Sequence, residues 1–276
     1  MPYIQLDPVG RLGNAMFRYL ICKIFVIEGA FEEVSPSTNL LLPYFPLTDD
    51  IFCSYGFHDG NLNSSSIEAI KEFLGDRLLI LAGYFQHDIP IAQYKDKLLQ
   101  YILDHPDENM YLEYYGNYST IKSSFMLYTS IPFTAHENVL HIRLGDFFTA
   151  KTCIHPKCYI DILKEFPKPI TVICDKINEP HEYKYIEYIK AITDCTLLQN
   201  SVEEDYHIMK NAKNLICSMS TLSWMAAFWN NCHNHIYMPK TNNITSSTFQ
   251  YPSIKCTIYN IEYITKDEAA VLQFNI

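Results

Sequence analysis

The sequence V-L-H-I-R-L-G-D-F-F, residues Val139–Phe148, organises the second half of the chain. Its first residues are apolar enough for a buried strand, in which successive side chains point to opposite faces. His141, Arg143 and Gly145 are expected on one face, so polar groups gather at the end of an apolar strand. A buried guanidinium without an anion is costly, and Arg143 therefore predicts an anion within reach. Asp146 is one candidate, and a bound diphosphate, onto which a guanidinium forks, is the other.

The same rhythm of apolar run and helical pattern continues from this strand to residue 238. Strands are expected at 139–143, 170–174, 196–199, 214–218 and 235–238, and helices near 157–166, 180–193, 202–212 and 221–230. This β-α repetition predicts a parallel sheet with helices on both faces. In such sheets ligands bind beyond the carboxyl ends of the strands.

Polar residues follow two further strand ends. Asp175 follows the second strand, where it can accept hydrogen bonds from a ligand or cap a helix. Ser218, Ser220 and Thr221 follow the fourth strand and precede a helix. They either cap that helix or, together with its N–H groups, bind phosphate. Because all these residues follow strands of one parallel sheet, we expect them to converge on a single ligand site.

The first half begins with a short strand, a glycine turn and a helix. Gly10 and Gly13 precede an apolar stripe at i, i+3, i+4, i+7 and i+8, from Phe17 to Phe25. Such a turn presents N–H groups that can bind phosphate or a sugar oxygen, and a tight turn without a ligand is the alternative. Further expectations are loops and short helices at 35–66, a strand at 78–82, a helix at 90–103 and one or two helices within 107–128.

Five peptides of the chain together resemble the α-1,2-fucosyltransferases and their relatives that use GDP-fucose. They are G-R-L-G-N-A-M-F-R-Y at 10–19, G-Y-F-Q at 83–86, H-I-R-L-G-D at 141–146, C-D at 174–175 and S-T-L-S-W-M-A at 220–226. The third resembles the family's H-x-R-x-G-D, and the first resembles its N-terminal G-G-L-G-N-Q-M-F-Q-Y. The chain departs from the family pattern at Arg11, Ala15, Arg18 and Leu144.

The resemblance implies an α/β protein of GT-B-like architecture with two Rossmann-like domains. Residues 1–134 would form the acceptor-side domain and 135–245 the domain that binds the GDP-sugar. Residues 246–276 would form a C-terminal segment that returns to the first domain. The implied reaction is metal-independent and inverting, and it moves L-fucose from GDP-fucose to a hydroxyl of an acceptor glycan, by resemblance α-1,2 to galactose.

The resemblance also assigns roles within the site. Arg143 would be the catalytic cation facing the charge that develops on the β-phosphate, and Asn14 would lie near the diphosphate and the transferred sugar. His141 and Asp175 would contact the nucleoside, while Asp146 would orient Arg143 or the ribose. The donor-binding set is Arg11, Gly13, Asn14, His141, Arg143, Gly145, Asp146, Asp175, Ser218, Ser220 and Thr221. The candidate general bases are Asp59, His87 and Asp88.

Composition limits the other classes of function. With 276 residues, 48% of them hydrophobic, the chain is long and apolar enough for one large domain or for two domains, each with its own hydrophobic core. Its net charge of -10 disfavours a nucleic-acid partner. The start lacks signal-peptide features and no apolar run reaches membrane-span length, so we expect a cytoplasmic protein of bacterial or viral type with reduced cysteines. Cys153 and Cys158 flank His155 without a second pair, which favours ordinary thiols over a metal site.

Two alternative functions stay open at this point. One is a transferase of the same architecture that uses another activated sugar, since Ala15 and Leu144 depart from the family pattern. The other is a non-catalytic protein that binds a nucleotide or a glycan, although Arg143 and Asn14 are both present.

Overall fold

A computed structural model describes residues 3–6, 11–29, 32–33, 64–74, 79–81, 88–114, 117–128, 136–230, 234–240 and 254–273. The chain divides into two units. The first comprises Met1–Tyr128 with Ile244–Ser253, and the second comprises Thr129–Asn243 with Ile254–Ile276. Among the residues just given, no helix combines the length and the apolar character that crossing a membrane requires.

The first unit combines a parallel sheet, helices and a hairpin. Its elements are β1 (Tyr3–Leu6), α1 (Leu12–Ile27), β2 (Glu32–Glu33), α2 (Ser64–Leu74), β3 (Leu79–Leu81), α3 (Asp88–Gln93), α4 (Lys95–Asp104), β4 (Asn109–Tyr114) and β5 (Asn117–Lys122). β1 lies between β2 and β3, and both pairings are parallel. The expected succession of strand and helix is confirmed, and the apolar stripe of α1 is buried.

The segment 107–128 forms a β-hairpin followed by a 3-10 turn at Ser123–Met126, so our expectation of one or two helices there was wrong. The strands β4 and β5 pair antiparallel, with Tyr114 opposite Asn117. Met110 and Leu112 are buried and lie two residues apart, which is the period of a strand. Tyr, Thr and Ile, which fill much of this segment, also favour strands over helices.

Other expectations for the first unit are met in part. The predicted strand at 78–82 is present as the shorter β3. The helix expected at 90–103 is present as α3 and α4, separated at Tyr94, and its apolar residues Ile91, Leu98 and Ile102 are buried. The helix α2 begins at the end of the region 35–66, where we expected loops and short helices. Residues 35–63 and the peptide at 83–86 lie outside the described residues.

The second unit is built on one six-stranded sheet. Its elements are β6 (Asn138–Ile142), α5 (Asp146–Thr149), α6 (Ile160–Glu165), β7 (Ile170–Cys174), α7 (Pro180–Ile192), β8 (Cys195–Leu198), α8 (Val202–Asn211), β9 (Asn214–Ile216), α9 (Thr221–Trp229), β10 (His235–Pro239), β11 (Thr257–Tyr259) and α10 (Lys266–Ala270). The strand order is β11-β10-β9-β6-β7-β8, and every pairing is parallel. The predicted parallel sheet is confirmed, with β11 as an additional strand.

The strand order of this sheet determines where a ligand crevice opens. Counted from β6, the order is the 3-2-1-4-5-6 of a Rossmann-type sheet. The connections reverse direction between the neighbouring strands β6 and β9. Every residue of β6, β7 and β9 is buried, as expected for central strands covered on both faces. In such sheets the crevice lies beyond the carboxyl ends of the two strands at the reversal.

Of the C-terminal segment 246–276, which the resemblance returns to the first domain, residues 246–253 belong to the first unit, and the described part, residues 254–273, belongs to the second unit. The described part adds β11 to the sheet, and α10 packs against α7. The Ile264 N–H donates to the Cys153 carbonyl at 2.9 Å, and the His155 N–H donates to the Glu262 carbonyl at 2.7 Å. These bonds satisfy backbone groups on both segments and hold this part of the chain on the second unit.

A buried ionic cluster joins α1 to the turn before β4. The Lys23 side chain is 0% exposed, and its Nζ donates to Glu108 Oε1 at 2.6 Å. The Tyr19 hydroxyl donates to the other oxygen of Glu108. Burial, reinforced by the Glu108 charge, raises the pKa of Tyr19 well above its ordinary value. Lys23 Nζ also lies 5.0 Å from the centre of the Tyr19 ring and 5.4 Å from that of Tyr101.

Replacing Glu108 by Gln should destabilise the first unit by about 3 kcal/mol, because it removes the carboxylate charge that pairs with the buried ammonium of Lys23. Glu28→Gln is the matched control. Its partner Lys97 lies at a similar distance, 2.7 Å, but is 59% exposed, so the loss should stay below about 1 kcal/mol. Urea denaturation of both variants measures the difference. Equal, small losses of unfolding free energy in the two variants would contradict a large contribution of Glu108 to the stability of the first unit.

Candidate functional site

The turn after β6 contains Arg143, Gly145 and Asp146, three of the residues that the sequence predicts for the ligand site. The strand ends at Ile142, one residue before Arg143, so the alternation of faces within β6 does not itself place Arg143 and Gly145 on the face of His141. Gly145 has φ +47° and ψ -114°, and a Cβ placed on it would meet nothing within 4 Å. Glycine is therefore required at this position for its backbone conformation and not for lack of space.

Arg143 is held between two carboxylates. Its Nη1 donates to Asp175 Oδ1, and its Nη2 donates to Asp146 Oδ1 at 3.0 Å. The side chain is 13% exposed, and its Cζ lies 5.2 Å from the centre of the Phe147 ring. Asp146, one of the two anions considered from the sequence, is thus a partner of Arg143, and Asp175 is a second. A diphosphate bound here would meet a guanidinium that the two carboxylates already orient.

Asp175 connects the turns that follow β6 and β7. Besides its ion pair with Arg143, it accepts the Leu144 N–H at Oδ2, at 3.2 Å. Its own carbonyl accepts a hydrogen bond from Gln199 Nε2 at 2.9 Å, which reaches it from beyond the end of β8. In this structure Asp175 therefore orients Arg143, whereas the sequence resemblance assigned it to the nucleoside.

His141 and Ser218 meet across the reversal of the sheet. Ser218 Oγ lies 2.9 Å from His141 Nδ1, and the two residues are 77 positions apart in the sequence. His141 is 4% exposed, and burial lowers its pKa to about 4. The imidazole is therefore neutral at pH 7, so that it supplies hydrogen bonds to this site and no positive charge.

The turn between β9 and α9 is closed by serine hydroxyls. Ser220 is the N-cap of α9, and its Oγ accepts the Leu222 N–H at 3.2 Å. Ser223 Oγ is placed to donate to the Ser218 carbonyl at 3.3 Å and to the Ser220 carbonyl at 3.0 Å. The capping role considered for Ser220 is thus realised. Thr221, the first residue of α9, is partly exposed at the helix N-terminus, where N–H groups favour an anion.

The residues expected to bind the donor fall into two groups. One group lies at or beyond the carboxyl ends of the strands in the second unit: His141, Arg143, Gly145, Asp146, Asp175, Ser218, Ser220 and Thr221. The other lies at the start of α1 in the first unit: Arg11, which is the N-cap, Gly13 and Asn14. Of the candidate general bases, Asp59 and His87 lie outside the described residues. Asp88 begins α3, and its side chain is outside the description as well.

Glu182 is a site residue that we did not expect from the sequence. It is 3% exposed, and it accepts the N–H groups of Gly145 at 3.0 Å, Asn178 at 2.8 Å and Glu179 at 3.0 Å. The peptide E-P-H-E at 179–182 carries a recognisable helix start, with Pro at the first position and Glu at the third. That signal indicates the capping box of α7, but it contains nothing about the distant Gly145.

The described cysteines are free thiols, and the described residues contain no group of three or more His, Cys, Asp or Glu side chains that could hold a metal ion. Cys153 Sγ lies 3.5 Å from the Arg143 carbonyl, and Cys158 Sγ accepts the Glu262 N–H at 3.2 Å. Both thiols are thus engaged in hydrogen bonds with the backbone.

Comparison of the chain with known protein families, with curated proteins and with solved structures gave no match.

Lowering the pH from 6.5 to 4 should remove the stability that neutral His141 contributes to the second unit, while Asp205, whose pKa burial raises to about 7, changes stability in the opposite sense. In the unfolded chain His141 takes up a proton near pH 6.5, whereas the folded state resists protonation down to a pKa of about 4. The stability due to neutral His141 is therefore complete above pH 6.5 and lost as the pH falls toward 4. His207, whose pKa burial also lowers to about 4, adds to the same effect.

His141→Gln should make the second unit less sensitive to this pH change, as measured by urea denaturation at several pH values. Ser218→Ala is the control. It removes the hydrogen bond to His141 but leaves the imidazole in place, so the pH dependence should persist. An unchanged pH dependence in His141→Gln would contradict this account.

Proposed function

We propose that this chain is an inverting, metal-independent glycosyltransferase that moves L-fucose from GDP-fucose to a hydroxyl of an acceptor glycan, with α-1,2 transfer to galactose as the first candidate. The observation that carries the proposal is the hydrogen bond between His141 and Ser218. It joins His141, the first residue of H-I-R-L-G-D, to the turn that leads into S-T-L-S-W-M-A. One peptide that resembles the family thus meets the turn directly before another at the reversal of a Rossmann-type sheet.

The position of these turns suits a nucleoside diphosphate. Ligands of parallel α/β sheets occupy the crevice beyond the strand ends at the reversal, which here lies between β6 and β9. The N-terminus of α9, with Thr221 in its first turn, offers N–H groups and a favourable helix dipole to phosphate oxygens. Neutral His141 adds a hydrogen-bonding group at the end of β6.

Arg143 is the residue to which we assign the largest catalytic effect. When the bond between fucose and GDP breaks, negative charge develops on the β-phosphate, and a fixed cation stabilises that charge more than it stabilises the ground state. Asp146 and Asp175 hold the guanidinium through one N–H each. Its other N–H groups are then available for phosphate oxygens. Because the side chain is only 13% exposed, limited solvent strengthens this interaction.

The first unit is assigned to the acceptor side by the resemblance alone. A parallel β1 followed by α1 fits the start of a Rossmann-like domain, and a GT-B-like pair of domains is part of the proposal. Arg11, Gly13 and Asn14 at the start of α1 are the residues to which it gives contacts with the donor.

Calorimetric titration with GDP, GDP-fucose, GDP-mannose and UDP, all without added metal, tests the proposal. We expect the GDP compounds to bind and UDP to fail. Arg143→Ala should reduce fucosyl transfer by about 100- to 1,000-fold, on the order of 2.7–4 kcal/mol, as for the loss of one oxyanion-hole donor. Lys164→Ala is the matched control, because it removes one positive charge near the end of α6, ahead of the amino end of β7, and should change neither binding nor turnover.

Each alternative function has its own outcome in this experiment. Preferential binding of another nucleotide sugar would indicate a transferase of the same architecture with a different donor. Binding of GDP without turnover on any acceptor in a glycan panel would indicate a non-catalytic nucleotide-binding protein. A nearly normal kcat in Arg143→Ala would remove Arg143 from the catalytic role.

A further inference from the structure

We infer that Glu182 is a positioning residue of the proposed donor site, which fixes the peptide between Leu144 and Gly145 through its buried carboxylate. The inference rests on the proposed function, because it gives Glu182 a role in nucleotide binding. The residue lies on α7, and it reaches the turn that carries Arg143 from a position 37 residues away in the sequence.

The carboxylate of Glu182 serves two turns at once. Oε1 accepts the Gly145 N–H at 3.0 Å, and Oε2 accepts the N–H groups of Asn178 at 2.8 Å and Glu179 at 3.0 Å. Gly145 follows β6, whereas Asn178 and Glu179 follow β7. The side chain therefore links the turn that bears the proposed catalytic cation to the turn that bears its partner Asp175.

Two consecutive N–H groups of the β6 turn are captured from the β7 side. Asp175 Oδ2 accepts the Leu144 N–H at 3.2 Å, and Glu182 accepts that of Gly145. Bound at both amides, the turn resists rotation and keeps Gly145 at its positive φ. Gly145 itself is exposed with open space beside its Cα. The backbone is thus held from the protein side while the opposite side stays accessible to a ligand.

Both side-chain oxygens of Glu182 must accept hydrogen bonds if the two turns are to be held. A carboxylate accepts hydrogen bonds at both oxygens, whereas the amide of Gln has one accepting oxygen and an NH₂ group that can only donate. Glu182→Gln must therefore turn an NH₂ group toward N–H donors, either at Gly145 or at the pair Asn178 and Glu179. A buried N–H left without an acceptor is costly, so one of the two turns is released.

Glu268→Gln is a matched control for this substitution. Glu268 is the third residue of α10 and forms a capping box with Thr265, as Glu182 does with Glu179 in α7. Within the described part of the chain, the Glu268 side chain forms hydrogen bonds with Thr265 and with no other residue. The control thus removes the same kind of helix cap without touching the turn after β6.

The first arm of the experiment measures amide hydrogen exchange at Gly145 by NMR in the unliganded protein. We expect Glu182→Gln to accelerate exchange at Gly145, or at Asn178 and Glu179, at least tenfold, and Glu268→Gln to leave all three unchanged. Unchanged exchange in Glu182→Gln would overturn the inferred contact. This arm requires no nucleotide, so it decides the contact even where the proposed function fails.

The second arm measures the Kd for GDP and the KM and kcat for GDP-fucose. Glu182→Gln should raise the Kd and the KM at least tenfold, while Glu268→Gln should keep both within twofold. A Glu182→Gln protein with released amides and an unchanged Kd would overturn the positioning role. Glu182→Asp, which keeps the charge on a shorter side chain, replaces the Gln variant if the latter fails to fold, and the same criteria apply. If the wild-type protein does not bind GDP, the proposed function is refuted, and with it the role of Glu182 in nucleotide binding.

Discussion

A cation that is largely withdrawn from water at the end of a buried strand must be neutralised by its surroundings, and in the second unit this requirement organises the turns beyond the sheet. Arg143 recruits Asp175 from the end of the neighbouring strand and Asp146 from its own turn. Asp175 in turn fixes the backbone at Leu144 and is itself held by Gln199. Three adjacent strands, β6, β7 and β8, are thus coupled at their carboxyl ends through the Arg143 guanidinium and through the carboxylate and the backbone carbonyl of Asp175.

The first unit also contains a buried cation, Lys23, but its surroundings differ from those of Arg143. Lys23 is fully enclosed, with Glu108 as its counter-ion and the rings of Tyr19 and Tyr101 around it. A fully enclosed cation has no N–H group to offer a ligand, so its role is to hold α1 in place. Arg143 keeps some exposure beside an exposed glycine, which is the arrangement that a binding site needs.

The periodicity of the sequence was sufficient to predict most of the second unit, because central parallel strands are continuous apolar runs and the helices between them carry their own start signals. The failures have physical causes. In β11, Thr257 and Ile258 are exposed, so this strand carries too little apolar pattern to be recognised. The tyrosines of β4 and β5 fit helix and strand patterns alike, and only the pairing of the two strands decides between them.

The candidate site shows the same limit more sharply. Arg143 and Asp146 are close in sequence, and their pairing could be considered from the sequence alone. The contacts of Asp175 with Leu144 and of Glu182 with Gly145 span 31 and 37 residues. They depend on the order of strands in the sheet, which periodicity does not contain. A local motif therefore indicates which residues take part, while the fold determines which atoms meet.

The two outer strands of the six-stranded sheet have a consequence for how this protein associates with other chains. Outer strands present unpaired backbone groups that can recruit a strand from another molecule, and native proteins limit this hazard by keeping such strands short. Here the outer strands are β8, with four residues, and β11, with three. The sheet thus offers little backbone for unwanted pairing with a strand of another molecule.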